Sequence, residues 1–176
     1  MRRLSTVDLV RDFMRVLGSR SPERVDVYFT GGATAVLYGW RETTIDVDIK
    51  IIPDNDDILR LLPDIKESQN INIELASPDD FIPELPGSID RRVFIAREGK
   101  ASFYHYDLYA QALAKIERGH TQDIEDAREM VRRKLVEPPL LLERMEQIQD
   151  KLYRYPAIDP ATFRRGVETF IQQFNA

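Results

Sequence analysis

The chain has no cysteine, which removes disulfide frameworks and thiolate metal sites from consideration. Its only histidines, His105 and His120, do not stand at ligand spacing, so a zinc centre is not expected. No apolar run comes near the ~20 residues that span a bilayer. The opening residues, Met1-Arg2-Arg3-Leu4-Ser5-Thr6, lead into an amphipathic pattern and not into an apolar signal segment. A soluble, cytoplasmic protein with no membrane contact is the expectation. Internal repeats and low-complexity tracts are also missing. Basic residues are in the minority, 25 Lys and Arg against 30 Asp and Glu, and the net charge of −5 argues against broad, non-specific nucleic-acid binding. A small basic groove on an acidic protein is compatible with that balance.

What is present suits an ordinary folded chain. With 176 residues there is enough for one domain with a core, or one domain and a helical appendage. Apolar spacing at Val7, Leu9, Val10, Phe13, Met14 and Leu17 predicts a first helix over 6–17, capped by Ser5 or Thr6 and ended by the run Gly18-Ser19-Arg20-Ser21-Pro22. Strands are expected over 26–30, 43–52 and 71–76, with a hairpin of 92–96 and 101–106 turning at Gly99. A helix over 54–62 stops before Pro63, with 63–68 either its continuation or a loop. The proline-rich stretch 77–87 reads as a loop or short helix. Asp107 caps a helix over 108–118. Further helices follow over 123–134, 138–153 and 161–174, whose apolar stripes suit core packing, with a dimer surface as the runner-up. The expected division is an α/β core over 1–106 and a helical region, packed on it, over 107–176.

Two short stretches carry chemistry. Phe29-Thr30-Gly31-Gly32-Ala33 reads as a strand running into a glycine turn and a short helix over 33–38. Paired glycines let the backbone bend sharply and let a ligand approach it. The helix start aims unpaired N–H groups and a positive dipole end at the same place. About a dozen residues on, Thr44-Ile45-Asp46-Val47-Asp48-Ile49 reads as a strand. Asp46 and Asp48 share one face and Ile45, Val47 and Ile49 the other. Adjacent carboxylates repel unless the face is wet or holds a cation, and hard divalent ions bind such oxygens together with substrate phosphates. A metal face beside an anion-binding helix start suits a nucleoside triphosphate. Taken singly, the pieces also read as a tight turn and a solvated strand face. Glu74, on the polar side of the 71–76 strand, either completes a three-carboxylate cluster or is an exposed strand glutamate. Trp40 reads as a packing anchor more than a base-stacking platform.

A third stretch is Lys115-x-x-Arg118, followed by Asp123-x-x-Asp126. Residues three apart share a helix face. These four either form surface ion pairs, each worth roughly 0–1 kcal/mol, or clamp and orient phosphates.

The run Thr30-Gly31-Gly32, helix, Arg41, Thr44-Ile45-Asp46-Val47-Asp48-Ile49 resembles the signature of the nucleotidyltransferase superfamily with the polymerase-beta-like fold. It is similar in particular to the small bacterial branch related to type IV abortive-infection toxins of toxin–antitoxin systems. The Lys115 to Asp126 run is similar to that branch's helical motif, although Gln122 stands where the motif usually has a basic residue. The motifs span roughly 25–130; the tail beyond Arg133 resembles nothing we can name.

The resemblance implies an α+β (α/β) fold, a mixed sheet flanked by helices. It implies Mg2+ or Mn2+ on Asp46 and Asp48, with Glu74 as a third acid assisting catalysis. Thr30, Gly31, Gly32, Lys115 and Arg118 would bind the nucleoside triphosphate, with Asp123 and Asp126 in support. The reaction implied is transfer of a nucleoside monophosphate to an RNA or protein hydroxyl, with an antitoxin or a second copy of the chain as partner. The competing readings are an inactive nucleotide- or partner-binding module of the same fold, and an interaction domain whose acids are solvated charge.

Overall fold

A computed structural model of the chain describes residues 1–175. Its strands are β1 (Ser5–Thr6), β2 (Val25–Thr30), β3 (Thr43–Thr44), β4 (Asp46–Ile52), β5 (Asn72–Leu75), β6 (Val93–Glu98) and β7 (Ala101–His105). Its α-helices are α1 (Val7–Arg20), α2 (Gly31–Tyr38), α3 (Asp56–Gln69), α4 (Leu108–Arg118), α5 (Thr121–Arg132), α6 (Pro138–Ile148) and α7 (Pro160–Gln172). The backbone divides into two compact units. One comprises residues 1–77 and 92–106; the other comprises 78–91 and 107–175.

The first unit is built on a five-stranded mixed sheet in the order β5-β4-β2-β7-β6. Strand β2 runs antiparallel to β4 and parallel to β7, and β4 is parallel to β5. Val27, Phe29, Val47, Ile49 and Phe103 line one sheet face and pack with Val10, Phe13 and Leu17 of α1 and Ile58 and Ile65 of α3. All ten are completely buried. Burying a side chain of this size contributes about 1.5–3 kcal/mol, so this face holds the unit together. The alternate residues of the same strands form the other face, where Tyr28, Thr30, Asp46, Asp48, Lys50, Asn72 and Glu74 stand.

Several boundaries differ from the sequence expectation, each for a physical reason. Helix α1 continues through Gly18 to Arg20, because Gly18 is a contact point and not a stop. A Cβ there would stand 2.1 Å from the Glu98 carbonyl oxygen in the hairpin turn. Helix α3 runs through Pro63 to Gln69, where Asn70 closes it in the left-handed conformation. The expected 43–52 strand is broken at Ile45. Thr43 and Thr44 pair with β1 instead, and Ile45 is 69% exposed while Val47 and Ile49 are buried. Leu75 keeps its expected face, opposite Ile49, but at the end of the edge strand it is 57% exposed against 4% for Ile73.

The second unit is helical. Asp107 caps α4, its Oδ1 accepting from the Tyr109 N–H at 3.0 Å. Asp159 caps α7 through the Thr162 N–H at 3.1 Å. The expected 138–153 helix is α6 followed by a 3-10 segment, Gln149–Arg154. Leu141, Met145, Ile148, Leu152, Phe163, Val167 and Phe170 are the buried stripes of this region.

Candidate active site

In the first unit, the glycine turn and the acids are neighbours by strand register. Thr30, the last residue of β2, lies opposite Asp48. Gly31 follows at φ +58°, a conformation that L side chains rarely adopt. A Cβ at Gly31 would stand 2.8 Å from Asp48 Oδ2, and one at Gly32 would stand 2.0 Å from Thr44 Oγ1. Both glycines are therefore required by close approach, and the bend faces the acid-bearing strand. Helix α2 starts at Gly31 itself, two residues before the expected start. The Thr30 hydroxyl does not cap it; Thr30 is buried and its hydroxyl donates to the Ala76 carbonyl at 3.1 Å.

The parallel register of β4 and β5 sets Asp46 beside Asn72 and Asp48 beside Glu74. Asp46, Asp48 and Glu74 thus share one sheet face, with Asp46 and Asp48 half-buried and Glu74 exposed. Asn72 ties two of them: its amide donates to Asp46 Oδ1 and, at 3.0 Å, to Glu74 Oε1. Among the described residues, no group of three or more His, Asp or Glu side chains is placed to hold a metal ion. The three acids are on one face but not gathered into a ready cage. The donor set that remains, two aspartates of one strand, is made of hard oxygens, which suits magnesium or manganese with phosphate oxygens completing the shell.

Behind the turn lies a buried polar support. Thr34, in the first turn of α2, donates to the Phe29 carbonyl at 3.3 Å and lies 3.0 Å from His105 Nδ1. The Tyr38 ring stacks on His105 at 4.3 Å and on Trp40 at 5.6 Å between centroids. Trp40 is thus a packing residue of this stack. Burial pushes the His105 imidazole down to about 3 and raises the Tyr38 phenol. His105 is neutral at physiological pH and holds the helix start in place.

In the second unit, the charged run forms a buried network. Lys115 Nζ lies 2.9 Å from Asp126 Oδ2 and 3.5 Å from Asp123 Oδ1. Arg118 grips both oxygens of Asp123, at 2.6 and 3.1 Å. The Lys115 side chain is 7% exposed and that of Asp126 fully buried, so these are not the surface ion pairs of the simpler expectation. Arg118 is the accessible member, at 37%, and its guanidinium lies 4.9 Å from the Phe81 ring centroid. Gln122 donates to Asp126 Oδ1 at 3.1 Å, so it serves the network in place of a basic residue.

Three contributors had no role in the sequence reading. Asn72 was legible only as a neighbour of Glu74 on the polar side of its strand. Phe81 and Arg91, which donates to Asp107 Oδ2 through two nitrogens at 2.6 and 3.1 Å, are brought to their partners by the fold with no local signal.

Seven α-helices, a five-stranded mixed sheet and a two-stranded ribbon among the described residues make an α+β protein with a nucleotidyltransferase-like fold. The chain belongs to the family described as nucleotidyltransferase of unknown function (DUF6036), whose model matches residues 5–172. No curated protein and no solved structure matches it. Among the described residues, no helix is long and apolar enough to cross a membrane.

Proposed function

We propose that the protein transfers a nucleoside monophosphate from a nucleoside triphosphate to a hydroxyl of RNA or protein, as the toxin of a type IV toxin–antitoxin system. The observation that carries this reading is the contact between turn and acid. Gly31 leaves room for the Asp48 carboxylate, so a polyphosphate approaching the start of α2 meets the acidic face at once. Asp46 and Asp48 would hold Mg2+ or Mn2+, which supplies charge neutralisation on the phosphates when bound. The Gly31 and Gly32 backbone and the α2 dipole orient the triphosphate. The acceptor oxygen bonds to the α-phosphorus as the α–β bridging P–O bond breaks. Pyrophosphate leaves with the bonding pair, and the hydroxyl proton passes to Glu74 as general base. In the second unit, Lys115 is buried against Asp126 and supports the fold, and Arg118, the accessible member, is the cation of the run that can meet a phosphate, with Asp123 holding its side chain in position.

The test is incorporation of each radiolabelled nucleotide into total cellular RNA and protein. Asp46→Asn is expected to abolish labelling with the fold unchanged by circular dichroism. Equal labelling by wild type and variant refutes the assignment. One observation favours a second reading, an inactive binding module: Asn72 already occupies oxygens of Asp46 and Glu74. Calorimetric titration with ATP, CTP, GTP and UTP plus magnesium separates the two, since binding without turnover supports the module.

A further inference from the structure

The polar face of the first unit's sheet has two unlike ends. Its acids stand on β4 and β5. Towards the other end, strand register lines up one row across four strands. Lys50 of β4 lies opposite Tyr28 of β2, Tyr28 beside Tyr104 of β7, and Tyr104 opposite Phe94 of β6. The Tyr28 and Tyr104 rings stack at 5.4 Å between centroids, and Phe94 meets Tyr104 edge-on at 5.7 Å. Phe94 is 59% exposed, and no other member of the row is exposed. It sits on an edge strand, where folds normally keep large apolar side chains out of solvent.

Two arginines flank this ring. Arg97 lies opposite Ser102, two residues from Tyr104, and so shares the face of Phe94. The Arg92 guanidinium lies 4.3 Å from the Tyr104 ring centroid, and its Nη1 donates to the Tyr28 hydroxyl at 3.0 Å and to Asp26 at 3.4 Å. Among the described residues, its Nε and Nη2 have no hydrogen-bond partner. A guanidinium fixed through one nitrogen and one ring, with two nitrogens left over, is a phosphate fork already in position. Neighbouring strands stand about 4.8 Å apart. Phe94, three strands away, is therefore about 14 Å from the strand of Asp46 and Asp48.

We propose that this end of the sheet face holds the acceptor, and that the acceptor is single-stranded RNA. One base stacks on Phe94, and Arg92 and Arg97 meet the phosphates beside it. This rests on the transferase reading above and chooses between its two acceptors. Every base offers a flat face to an aromatic ring, and a phosphate joins each base to the next; a protein hydroxyl needs neither. Confining the contact to a few phosphates also reconciles RNA with a net charge of −5.

The experiment is fluorescence anisotropy of labelled single-stranded RNA of mixed sequence with a free 3′ hydroxyl, over a series of salt concentrations. F94A is expected to weaken binding about tenfold and to leave the slope of log affinity against log salt unchanged. R92Q and R97Q are each expected to lower that slope by about 0.7, the share of one phosphate on a single strand. Arg97 is exposed and carries the phosphate test if R92Q disturbs the tyrosine stack. Calorimetric titration with non-hydrolysable triphosphate analogues and magnesium is expected to give one affinity for wild type and all three variants. Radiolabelled nucleotide is expected to enter cellular RNA, and F94A to lose most of that label. No RNA binding by wild type, equal RNA binding by F94A and wild type, or label in protein alone overturns the inference and leaves the triphosphate site standing. RNA bound through Phe94 but labelled by no form of the protein overturns the transferase reading, and the acceptor role with it.

Discussion

Asp46 and Asp126 are the same residue type in opposite circumstances. Asp126 is fully buried, with the Lys115 ammonium 2.9 Å away. Asp46 is half-buried on an open sheet face, and its carboxylate takes a hydrogen bond from the Asn72 amide. A cation brought to Asp126 has to displace a buried ammonium. A cation brought to Asp46 has only to displace an amide. Carboxylates of the first kind are committed to the fold, because an ion pair removed from water survives only when both partners stay. Carboxylates of the second kind cost the fold little and leave charge within reach of solvent, as binding requires.

The contrast predicts opposite mutational behaviour. Asp126→Ala leaves the Lys115 ammonium buried with half its support and is expected to cost about 3–5 kcal/mol. Asp46→Asn, on the sheet face, is expected to stay within about 0.5 kcal/mol of wild type. Urea denaturation of the two variants measures the difference directly. A midpoint for Asp126→Ala close to that of wild type would break the comparison, because it would mean that Lys115 reaches water. Replacing the pair together, Lys115→Met with Asp126→Leu, is expected to recover much of the loss, since no buried charge is left without its partner.

His105 offers the next largest effect. Its folded value of about 3 lies below the ordinary 6.5 of an unfolded chain, so the unfolded chain binds the proton more readily. The stability from keeping this ring neutral is complete above about pH 6.5 and is lost as the pH falls towards 3, at roughly 1.4 kcal/mol per pH unit. His105→Gln keeps a donor for the Thr34 hydroxyl, whose own proton goes to the Phe29 carbonyl, but cannot titrate in this range. Denaturation curves for variant and wild type between pH 7 and 4 are expected to converge as the pH falls. Curves that stay parallel would show that the ring protonates without opening the stack with Tyr38.

How much of this was legible in the sequence follows from the range of each signal. Alternation of polar and apolar residues in 46–49 is a local pattern, and the face shared by Asp46 and Asp48 followed from it directly. So did the caps at Asp107 and the turn at Gly31, whose chemistry is set within a few residues. Gly18 misled because a glycine inside a helix reads as a stop, whereas its reason is the Glu98 carbonyl eighty residues away. Ile45 misled because alternation does not tell where a strand changes partner. The depth of Lys115 and Asp126 was hidden for a related reason. Their spacing is the same on a surface helix as on a buried one, and only α4 packed on α5 decides between them.

The smallest effect is at Asn72, and it tests the sheet face most directly. Its amide joins Asp46 to Glu74 across β4 and β5, and the residue is half-buried at the edge of the sheet. If the acids of this face are held for binding, the amide is a placeholder that keeps two like charges apart until a cation arrives. Asn72→Ala then costs less than about 1.5 kcal/mol, the ordinary net worth of a solvent-accessible hydrogen bond. It also leaves the carboxylates open, and Mn2+ binding followed by electron paramagnetic resonance is expected to tighten over wild type. If the acids are structural instead, the amide is part of the fold, and Asn72→Ala destabilises the chain as a buried contact does with no gain in Mn2+ affinity. The two readings differ in both the urea midpoint and the spectrum, so a single variant decides whether Asp46 belongs with Asp48 as a binding pair or with Asp126 as a buried support.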